Sequence, residues 1–534
     1  MKKNLLILLS LFLISLFAYT NAWAVREGGS FVFCAPYGGD VFSLDMHRTG
    51  NTQDYIVGLN IHRSLYKWDA SQNKPVPELA TEIKTTDGGQ TYIVTLRKNI
   101  KFHNGRGMTA DDIIYSYNRI MNPKTASSAT AYVKPIKGAA DVQAGKATAI
   151  SGLSKIDDYT LKIEMENPTE LGYLLYKIET AIIPKEEVVS KGERFGSAPV
   201  GCGPFKFSKW VKGSEIVLEK FDDYYEEGRP YLDKLVYKIM PEGSARDMSF
   251  RAKELDANLL GGAQYQVYQK DPELSGNMVE VAEMYTRLVG FNMNYKPFTD
   301  KRVRQAFNYA LNSELIIKKL LKNKAFRATS FLPSTSPAFN PKLAPYEYNV
   351  EKAKKLMAEA GYADGFDLEI IGTNSQSYGV RVIEAIIPFL KKINIRVKPQ
   401  QLEGGMLSQR LIKGDYQAFI WSLESGPDPL VALNRFDSKT LPSAGNYVAY
   451  SNPEFDKYLD LARKTGNQTQ KLVYLTKADA FLHADAPLWF FNYNKAIIAY
   501  QPWVHGIKPV AIEMMLQDFT NLWLDETSPR ANVK

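Results

Sequence analysis

Residues 87–119, DGGQTYIVTLRKNIKFHNGRGMTADDIIYSYNR, constrain the fold more than any other stretch of this chain. They begin at Gly88-Gly89, and paired glycines are a common turn signal. Apolar residues then alternate with polar or smaller ones, which is typical of a half-buried strand. The apolar positions of this predicted strand are Tyr92, Val94 and Leu96.

The second half of the stretch predicts a turn followed by a helix. Phe102 returns to the core, and Asn104-Gly105 is a common turn pair. Thr109 lies at a predicted N-cap. Asp111 and Asp112 place negative charge in the first turn, where it interacts favourably with the positive end of the helix dipole. On its own such a unit is structural packing, so we expect this stretch to shape the fold without contacting a ligand.

The first 24 residues have the pattern of a secretory signal peptide. Lys2 and Lys3 precede an apolar run from Leu5 to Ala18, and Ala22-Trp23-Ala24 matches an A-x-A cleavage site. The apolar run is too short for a comfortable membrane span, and an uncleaved anchor is the alternative. No lipid-attachment motif precedes Cys34. We therefore expect a free periplasmic protein that begins at residue 25.

Composition and spacing argue against several classes of function. The net charge is +8, but the basic residues form no dense run, so nucleic-acid binding is not expected. The chain has no Gly-x-Ser-x-Gly and no His-Glu-x-x-His motif, and its five histidines are scattered singly. We therefore predict no catalytic residue, no metal site and no cofactor. A secreted hydrolase and a periplasmic chaperone or sensor remain as alternatives.

Later segments add motifs that occur together in one protein family. With residues 87–119 they resemble the family 5 solute-binding proteins of ABC importers, the dipeptide- and oligopeptide-binding group, over nearly all of residues 28–525. The segments that carry the resemblance are Pro199–Phe207 (PVGCGPFKF), Glu219–Tyr225 (EKFDDYY), Gly228–Lys234 (GRPYLDK), Glu254–Asp256 (ELD) and Gly290–Phe298 (GFNMNYKPF).

This resemblance implies a fold and a function. The fold is an α/β, two-lobe periplasmic binding protein of the Venus-flytrap type II, from the large cluster with an extra subdomain. The function is capture of a peptide or peptide-like solute between the lobes and delivery to an ABC permease at the inner membrane, by a protein that is expected to be a monomer. Binding would shift an open and closed equilibrium toward the closed form.

The domain organisation follows from the same resemblance. Residues 25–57 and 199–287 are predicted to form lobe I, with an extra subdomain at 58–198; residues 288–494 form lobe II, and residues 495–534 return to lobe I as its C-terminal tail. The segment Gly201-Cys202-Gly203-Pro204 is predicted to be a fixed crossing that can also absorb dihedral change. In the family this motif lies where the chain passes back between lobes.

The main ligand-binding candidate is Glu424, at the end of an apolar strand from Ala418 to Leu423. A carboxylate buried there needs a compensating charge. Trp421-Ser422-Leu423-Glu424 matches the family's Trp-x-x-Asp, in which the Asp binds a ligand ammonium, with Glu substituted. The alternatives are that Glu424 pairs with an arginine of its own lobe or faces solvent, and that Trp421 packs inside the lobe instead of lying flat against the ligand.

Three further features bear on the ligand. Thr49-Gly50-Asn51-Thr52 resembles the family's Ser/Thr-Gly-Thr stretch, which presents main-chain and hydroxyl groups to a peptide backbone; an ordinary surface turn is the alternative. Tyr37, just after the first strand, is a weaker candidate. Dipeptide binders place an arginine for the ligand carboxylate where this chain has Gly372–Tyr378, and Arg381 comes later, in a predicted helix. Longer or capped peptides, a nickel complex, haem or an oligosaccharide therefore stay open as ligands.

The chain has two cysteines, Cys34 and Cys202. In an oxidising compartment, two cysteines favour a single disulfide, which we predict here. Two buried thiols are the alternative.

Overall fold

The computed structural model describes residues 25–35, 40–85, 87–375 and 377–533, without the side chains of Ala35 and Ala444. The predicted signal peptide, residues 1–24, lies outside the described residues, as does Tyr37. Within the described ranges, no helix combines the length and the apolar character that crossing a bilayer requires.

The strands are numbered in chain order. They are β1 (Ser30–Ala35), β2 (Tyr66–Asp69), β3 (Lys74–Pro77), β4 (Ala80–Thr85), β5 (Thr91–Leu96), β6 (Leu153–Asp157), β7 (Thr160–Glu164), β8 (Phe205–Val211), β9 (Glu215–Lys220), β10 (Lys234–Ile239), β11 (Ala257–Leu259), β12 (Met278–Phe291), β13 (Ala325–Arg327), β14 (Phe366–Gly372), β15 (Ile395–Gln401), β16 (Ala418–Glu424), β17 (Leu488–Tyr500), β18 (Val504–His505) and β19 (Trp523–Leu524).

The α-helices are given by their ranges. They are Thr52–Ile61, Ala110–Met121, Thr130–Val133, Ala139–Gln143, Leu171–Leu175, Lys185–Lys191, Gly243–Arg251, Gly262–Tyr268, Lys296–Thr299, Lys301–Ala310, Ser313–Lys319, Val350–Glu359, Val380–Leu390, Gly404–Lys413, Pro429–Asn434, Pro453–Lys464 and Gln468–Asp485.

Lobe I is built on a four-stranded sheet with the order β1-β10-β9-β8. β1 runs parallel to β10, whereas the other pairs are antiparallel. Side chains of a strand point alternately to its two faces, so Phe31 and Phe33 enter one hydrophobic cluster while Val32 and Cys34 enter another. The sheet therefore has a core on both faces.

Lobe II is built on the larger sheet, with the order β11-β17-β12-β16-β14-β15 and with β13 paired to β17. β14 is parallel to both β15 and β16. Ile420 of β16 packs in one cluster with the helices Lys301–Ala310 and Val380–Leu390, and Phe419 packs in the cluster on the opposite face with Gln468–Asp485. This sheet with helices on both faces confirms the α/β prediction for the lobe.

Two long antiparallel strands, β12 and β17, join the lobes. Val281 of β12 and Ile498 of β17 lie in the core of lobe I, whereas Phe291 and Phe491, at the other ends of the same strands, lie in lobe II. Their register shifts between Ala282 and Thr286. Because such a shift interrupts the ladder locally, the strands can bend there, and the predicted lobe boundaries fall within them.

The inserted segment has its own sheet, β4-β5-β7-β6, and its own hydrophobic cluster, which runs from Leu65 to Cys202 in sequence. The strand predicted at Tyr92, Val94 and Leu96 is β5, in which these three positions are buried. The predicted helix is Ala110–Met121, and the Thr109 main-chain N–H donates to Asp112 Oδ2 at 2.9 Å. Both local predictions are confirmed.

The segment Gly201-Cys202-Gly203, predicted as a crossing, leads from the cluster of the inserted segment to β8 of the lobe I sheet. It packs against the end of the helix Thr52–Ile61, and the Gly203 N–H donates to the Ile61 carbonyl at 2.8 Å. A Cβ on Gly201 would approach that carbonyl oxygen to 2.1 Å. The glycines thus permit a close backbone approach between lobe I and the inserted segment, and the lobes themselves are joined by β12 and β17.

The predicted disulfide between Cys34 and Cys202 is wrong, because neither cysteine is in a disulfide. Cys34 packs in a lobe I cluster with Leu255 and Tyr268, whereas Cys202 packs in the separate cluster of the inserted segment. Burial raises the pKa of the Cys34 thiol to about 11 and that of Cys202 to about 12. Both are therefore protonated and unreactive at neutral pH.

Asp479 is a buried carboxyl group in lobe II, and its titration should make the stability of the protein depend on pH. Its side chain is fully buried, accepts a hydrogen bond from Ser330 Oγ at 2.5 Å, and has a pKa that burial raises to about 7. An unfolded aspartate titrates near pH 3.9. The raised pKa therefore contributes stability below about pH 4 that is lost as the pH rises through 7, by up to about 4 kcal/mol.

We expect Asp479→Asn to remove this dependence. The free energy of unfolding of the variant relative to the natural protein should rise between pH 4.5 and 8.5, measured by denaturant titration at each pH. Other titrating groups cancel in this difference. A difference that stays constant across the range would contradict the assignment.

Candidate ligand-binding site

A cavity of about 340 Å³ lies where the two lobes and the inserted segment meet. Its wall combines the start of the helix Thr52–Ile61, residues 176–179 of the inserted segment and the C-terminal return at residues 506–521. Tyr285 of β12 and Glu424 of β16 complete the wall, and these two residues are opposite each other in the ladder. The cavity therefore lies beside the strands that join the lobes.

Glu424 is exposed at the end of β16, so the expectation that its charge is buried is wrong. The strand itself is buried, but its last residue projects into the cavity. Arg435, an arginine of the same lobe, donates from Nη2 to the Glu424 main-chain oxygen at 3.1 Å. Within the described part of the chain, no ion pair forms on the Glu424 carboxylate, so the carboxylate is accessible to a solute.

Lys177 and Glu179 carry the charges of the inserted segment at this cavity. The Lys177 ammonium lies 5.3 Å from the ring centroid of Tyr176 and 5.6 Å from that of Tyr132. Glu179 is 7% exposed, and burial raises its pKa against the opposing charge of Lys177. A buried acid with a shifted pKa beside an aromatic-flanked lysine is typical of a binding site.

A network of buried ion pairs lies along one side of the cavity. Arg63, 2% exposed, pairs through Nε with Glu78 Oε1 at 3.0 Å and through Nη2 with Asp518 Oδ1 at 3.0 Å. Lys67 Nζ lies 2.6 Å from Glu78 Oε2. The network joins the inserted segment to the C-terminal return, so it fixes two walls of the cavity relative to each other.

A second ion pair joins the inserted segment to lobe II. Lys471 Nζ lies 3.5 Å from Glu170 Oε1, and the Lys471 side chain is 12% exposed. Asp428 is close by, and burial raises the pKa values of both Glu170 and Asp428 against the charge of Lys471. Two carboxylates therefore share one ammonium at the contact between the lobes. Near the joining strands, Asn73 Nδ2 also donates to the Thr335 carbonyl.

The other predicted site residues are placed differently. Thr52 lines the cavity, whereas Gly50 and Asn51 are exposed at the start of its helix. The Thr49 hydroxyl donates to Asp54, so it is already used within the fold. Trp421 packs against the lobe II cluster on the face of β16 opposite to Glu424, as its packing alternative proposed.

Several lining residues have no counterpart in the sequence-based prediction. Lys177, Glu179, Tyr176 and Tyr285 belong to no motif, and only the tertiary fold brings them to Glu424. Arg381 lies in the helix Val380–Leu390, as predicted. Across the described ranges, no group of three or more His, Cys, Asp or Glu side chains could hold a metal ion.

The His103 ring forms hydrogen bonds with the main chain at Gly201 and Gly203, which is a structural role. Its Nδ1 accepts from the Gly201 N–H at 3.3 Å, so its Nε2 is the protonated nitrogen that donates to the Gly203 carbonyl at 3.0 Å. Burial lowers the pKa of this histidine to about 3, so the ring is neutral.

Two lobes, a pair of joining strands and a charged cavity between them define a solute-binding protein of the two-lobe class. A family model described as bacterial extracellular solute-binding proteins, family 5 Middle, matches residues 74–443. The chain belongs to this family.

Individual relatives cover almost the whole chain. The oligopeptide-binding protein AppA of Bacillus subtilis is 28% identical over 518 residues, which are 92% of this chain and 91% of AppA. Heme-binding protein A of Haemophilus influenzae is 27% identical over 491 residues, 86% of each chain. Among solved structures, the unliganded open form of the periplasmic murein tripeptide-binding protein MppA superimposes with a TM-score of 0.83 at 22% identity, covering 94% of this chain and 98% of MppA.

The Lys471 ion pair generates a prediction about the lobes. In Lys471→Met, Glu170 and Asp428 face each other without a cation, and like charges in a partly buried contact repel. We expect the mean distance between lobes to increase, measured by energy transfer between fluorophores on cysteines introduced at the exposed positions Lys146 and Lys355.

Lys471→Arg is the matched control, because it keeps the charge. At pH 4 the effect of Lys471→Met should shrink, since protonation of the carboxylates removes the repulsion. An unchanged distance in Lys471→Met at pH 7.5 would show that the pair does not restrain the lobes.

Proposed function

We propose that this protein is the periplasmic receptor of an ABC importer for a peptide or peptide-like solute. It binds the solute in the cavity beside β12 and β17 and delivers it to a permease in the inner membrane, where a separate ATPase drives transport. The observation that carries this proposal is the cavity itself, whose wall includes Thr52 of lobe I, Lys177 of the inserted segment and Glu424 of lobe II.

The proposal includes the export and the domain organisation. Residues 1–24 are removed as a signal peptide, and the mature chain works as a monomer. Residues 25–57, 199–287 and 495–534 form lobe I, residues 58–198 form the extra subdomain, and residues 288–494 form lobe II.

The arrangement of the wall supports binding coupled to closure. A solute that contacts Glu424 on one lobe and the helix Thr52–Ile61 on the other makes both sets of contacts only when the lobes approach each other. It therefore binds the closed arrangement more tightly and shifts the equilibrium toward it. The register shift in β12 supports bending at the joint.

The chemistry of the wall favours a peptide. Carboxylates, lysines and the hydroxyl groups of tyrosines are mixed along it, which suits a solute with a charged amine, a charged carboxylate and an amide backbone. The names of AppA and MppA point to peptide ligands in related proteins. Heme-binding protein A points to haem as a second candidate, so haem belongs in any ligand screen of this protein.

Glu424 is proposed to bind the ammonium of the peptide. We expect Glu424→Gln to weaken binding of alanine peptides with a free N-terminus by roughly tenfold to a hundredfold, because a hydrogen bond to a charged group contributes about 1.5–3 kcal/mol. N-acetylated forms of the same peptides should bind the variant and the natural protein equally. Titration calorimetry measures both.

The matched control is Glu227→Gln, which changes an exposed carboxylate outside the cavity. Neither variant should lower the thermal stability of the ligand-free protein, since Glu424 is exposed. Equal affinity of Glu424→Gln and the natural protein for a free-amine peptide would refute the role of Glu424.

A further inference from the structure

We propose that Lys177 determines specificity by binding an anionic group of the solute, most simply a peptide carboxylate. The inference rests on the proposed function and deepens it, because it makes the preferred ligand zwitterionic: a cationic group contacts Glu424 while an anionic group contacts the Lys177 ammonium. It also gives the carboxylate a partner on the inserted segment, whereas lobe II has no arginine in residues 372–378.

The main chain fixes the position of Lys177. Its carbonyl oxygen accepts hydrogen bonds from Ser64 Oγ at 2.8 Å and from Thr180 Oγ1 at 2.7 Å. On the side chain, the rings of Tyr132 and Tyr176 flank the ammonium, and cation–π attraction favours this placement. The ammonium is therefore held at the cavity before any solute arrives, which lowers the entropic cost of binding.

The charges around Lys177 leave it available to a ligand. Burial lowers the pKa of Lys177, but Tyr176 and Tyr132, followed by Glu424 and Glu179, raise that pKa well above its usual value, so the side chain is charged at neutral pH. Within the described residues, neither carboxylate closes an ion pair with the Lys177 ammonium. A half-buried ammonium without a salt bridge gains from an incoming carboxylate.

Other cations of the cavity are placed less favourably. Arg63 and Lys67 are committed to Glu78, which is 1% exposed, and Arg63 also pairs with Asp518. Lys508 is exposed, so solvent and salt screen its charge. Lys177 is the cation that combines fixed placement, aromatic flanks and nearness to Glu424.

The test compares each ligand with its uncharged form in two proteins. Alanine oligomers of two to five residues are titrated by calorimetry as free acids and as C-terminal amides. The natural protein should bind the free acid of the best oligomer about tenfold or more tightly than its amide. Lys177→Met keeps an unbranched side chain that is one atom shorter and removes the charge, so it should bind both forms with the affinity that the natural protein has for the amide.

Lys177→Arg is the control that keeps the charge, and it should retain a preference for the free acid. A preference that persists in Lys177→Met overturns the inference, and so does an equal loss of affinity for acid and amide, which would mark a structural role. Both outcomes leave the proposed peptide function in place. If no oligomer binds the natural protein, the peptide assignment fails, and this inference fails with it.

Discussion

The antiparallel pairing of β12 and β17 is the interaction on which the rest of the structure depends. These two strands carry hydrophobic residues of both lobes along one antiparallel pair, so the lobes are tethered to each other. The ladder is interrupted between Ala282 and Thr286, next to Tyr285, which lines the cavity. A joint that is continuous in covalent structure and interrupted in hydrogen bonding allows the lobes to close by bending while they stay attached to each other. The site lies beside the joint, where a small rotation changes the separation of its walls.

The charges of the cavity divide into a fixed set and an accessible set. Arg63, Glu78 and Asp518 form a buried network of ion pairs beside the cavity, and removing one partner would leave an uncompensated buried charge. Glu424 and Lys177 belong to the accessible set, which a solute can reach without breaking an ion pair of the described chain. The buried ion pairs therefore keep one side of the cavity rigid, while the accessible charges can select the solute. This division also explains why the proposed ligand carries both signs of charge.

Local patterns predicted local structure well, and they failed where distant segments decide the outcome. The alternation at Tyr92, Val94 and Leu96 predicted β5 correctly, because a strand buried on one face shows period two in its own sequence. Glu424 was placed correctly at a strand end, but its exposure depends on a cavity whose other walls lie hundreds of residues away. Lys177 had no local signal for the same reason. The disulfide prediction used the oxidising compartment and the presence of two cysteines, and neither fact fixes the distance between the two thiols. In the structure, Cys34 and Cys202 pack in different hydrophobic clusters. The glycines at 201 and 203 were singled out from the sequence, but their close packing against Ile61 was not predicted, because Ile61 is distant in sequence.

The central claim is that two lobes joined by β12 and β17 close on a solute that is then released unchanged. Small-angle X-ray scattering of the mature chain, with and without a saturating alanine peptide, tests it most directly when the same peptide is recovered afterwards and analysed by mass spectrometry. The account predicts a smaller radius of gyration with peptide, a weaker decrease for Glu424→Gln at the same peptide concentration, and intact peptide after release. An unchanged radius of gyration with bound peptide, or a cleaved peptide, would contradict it.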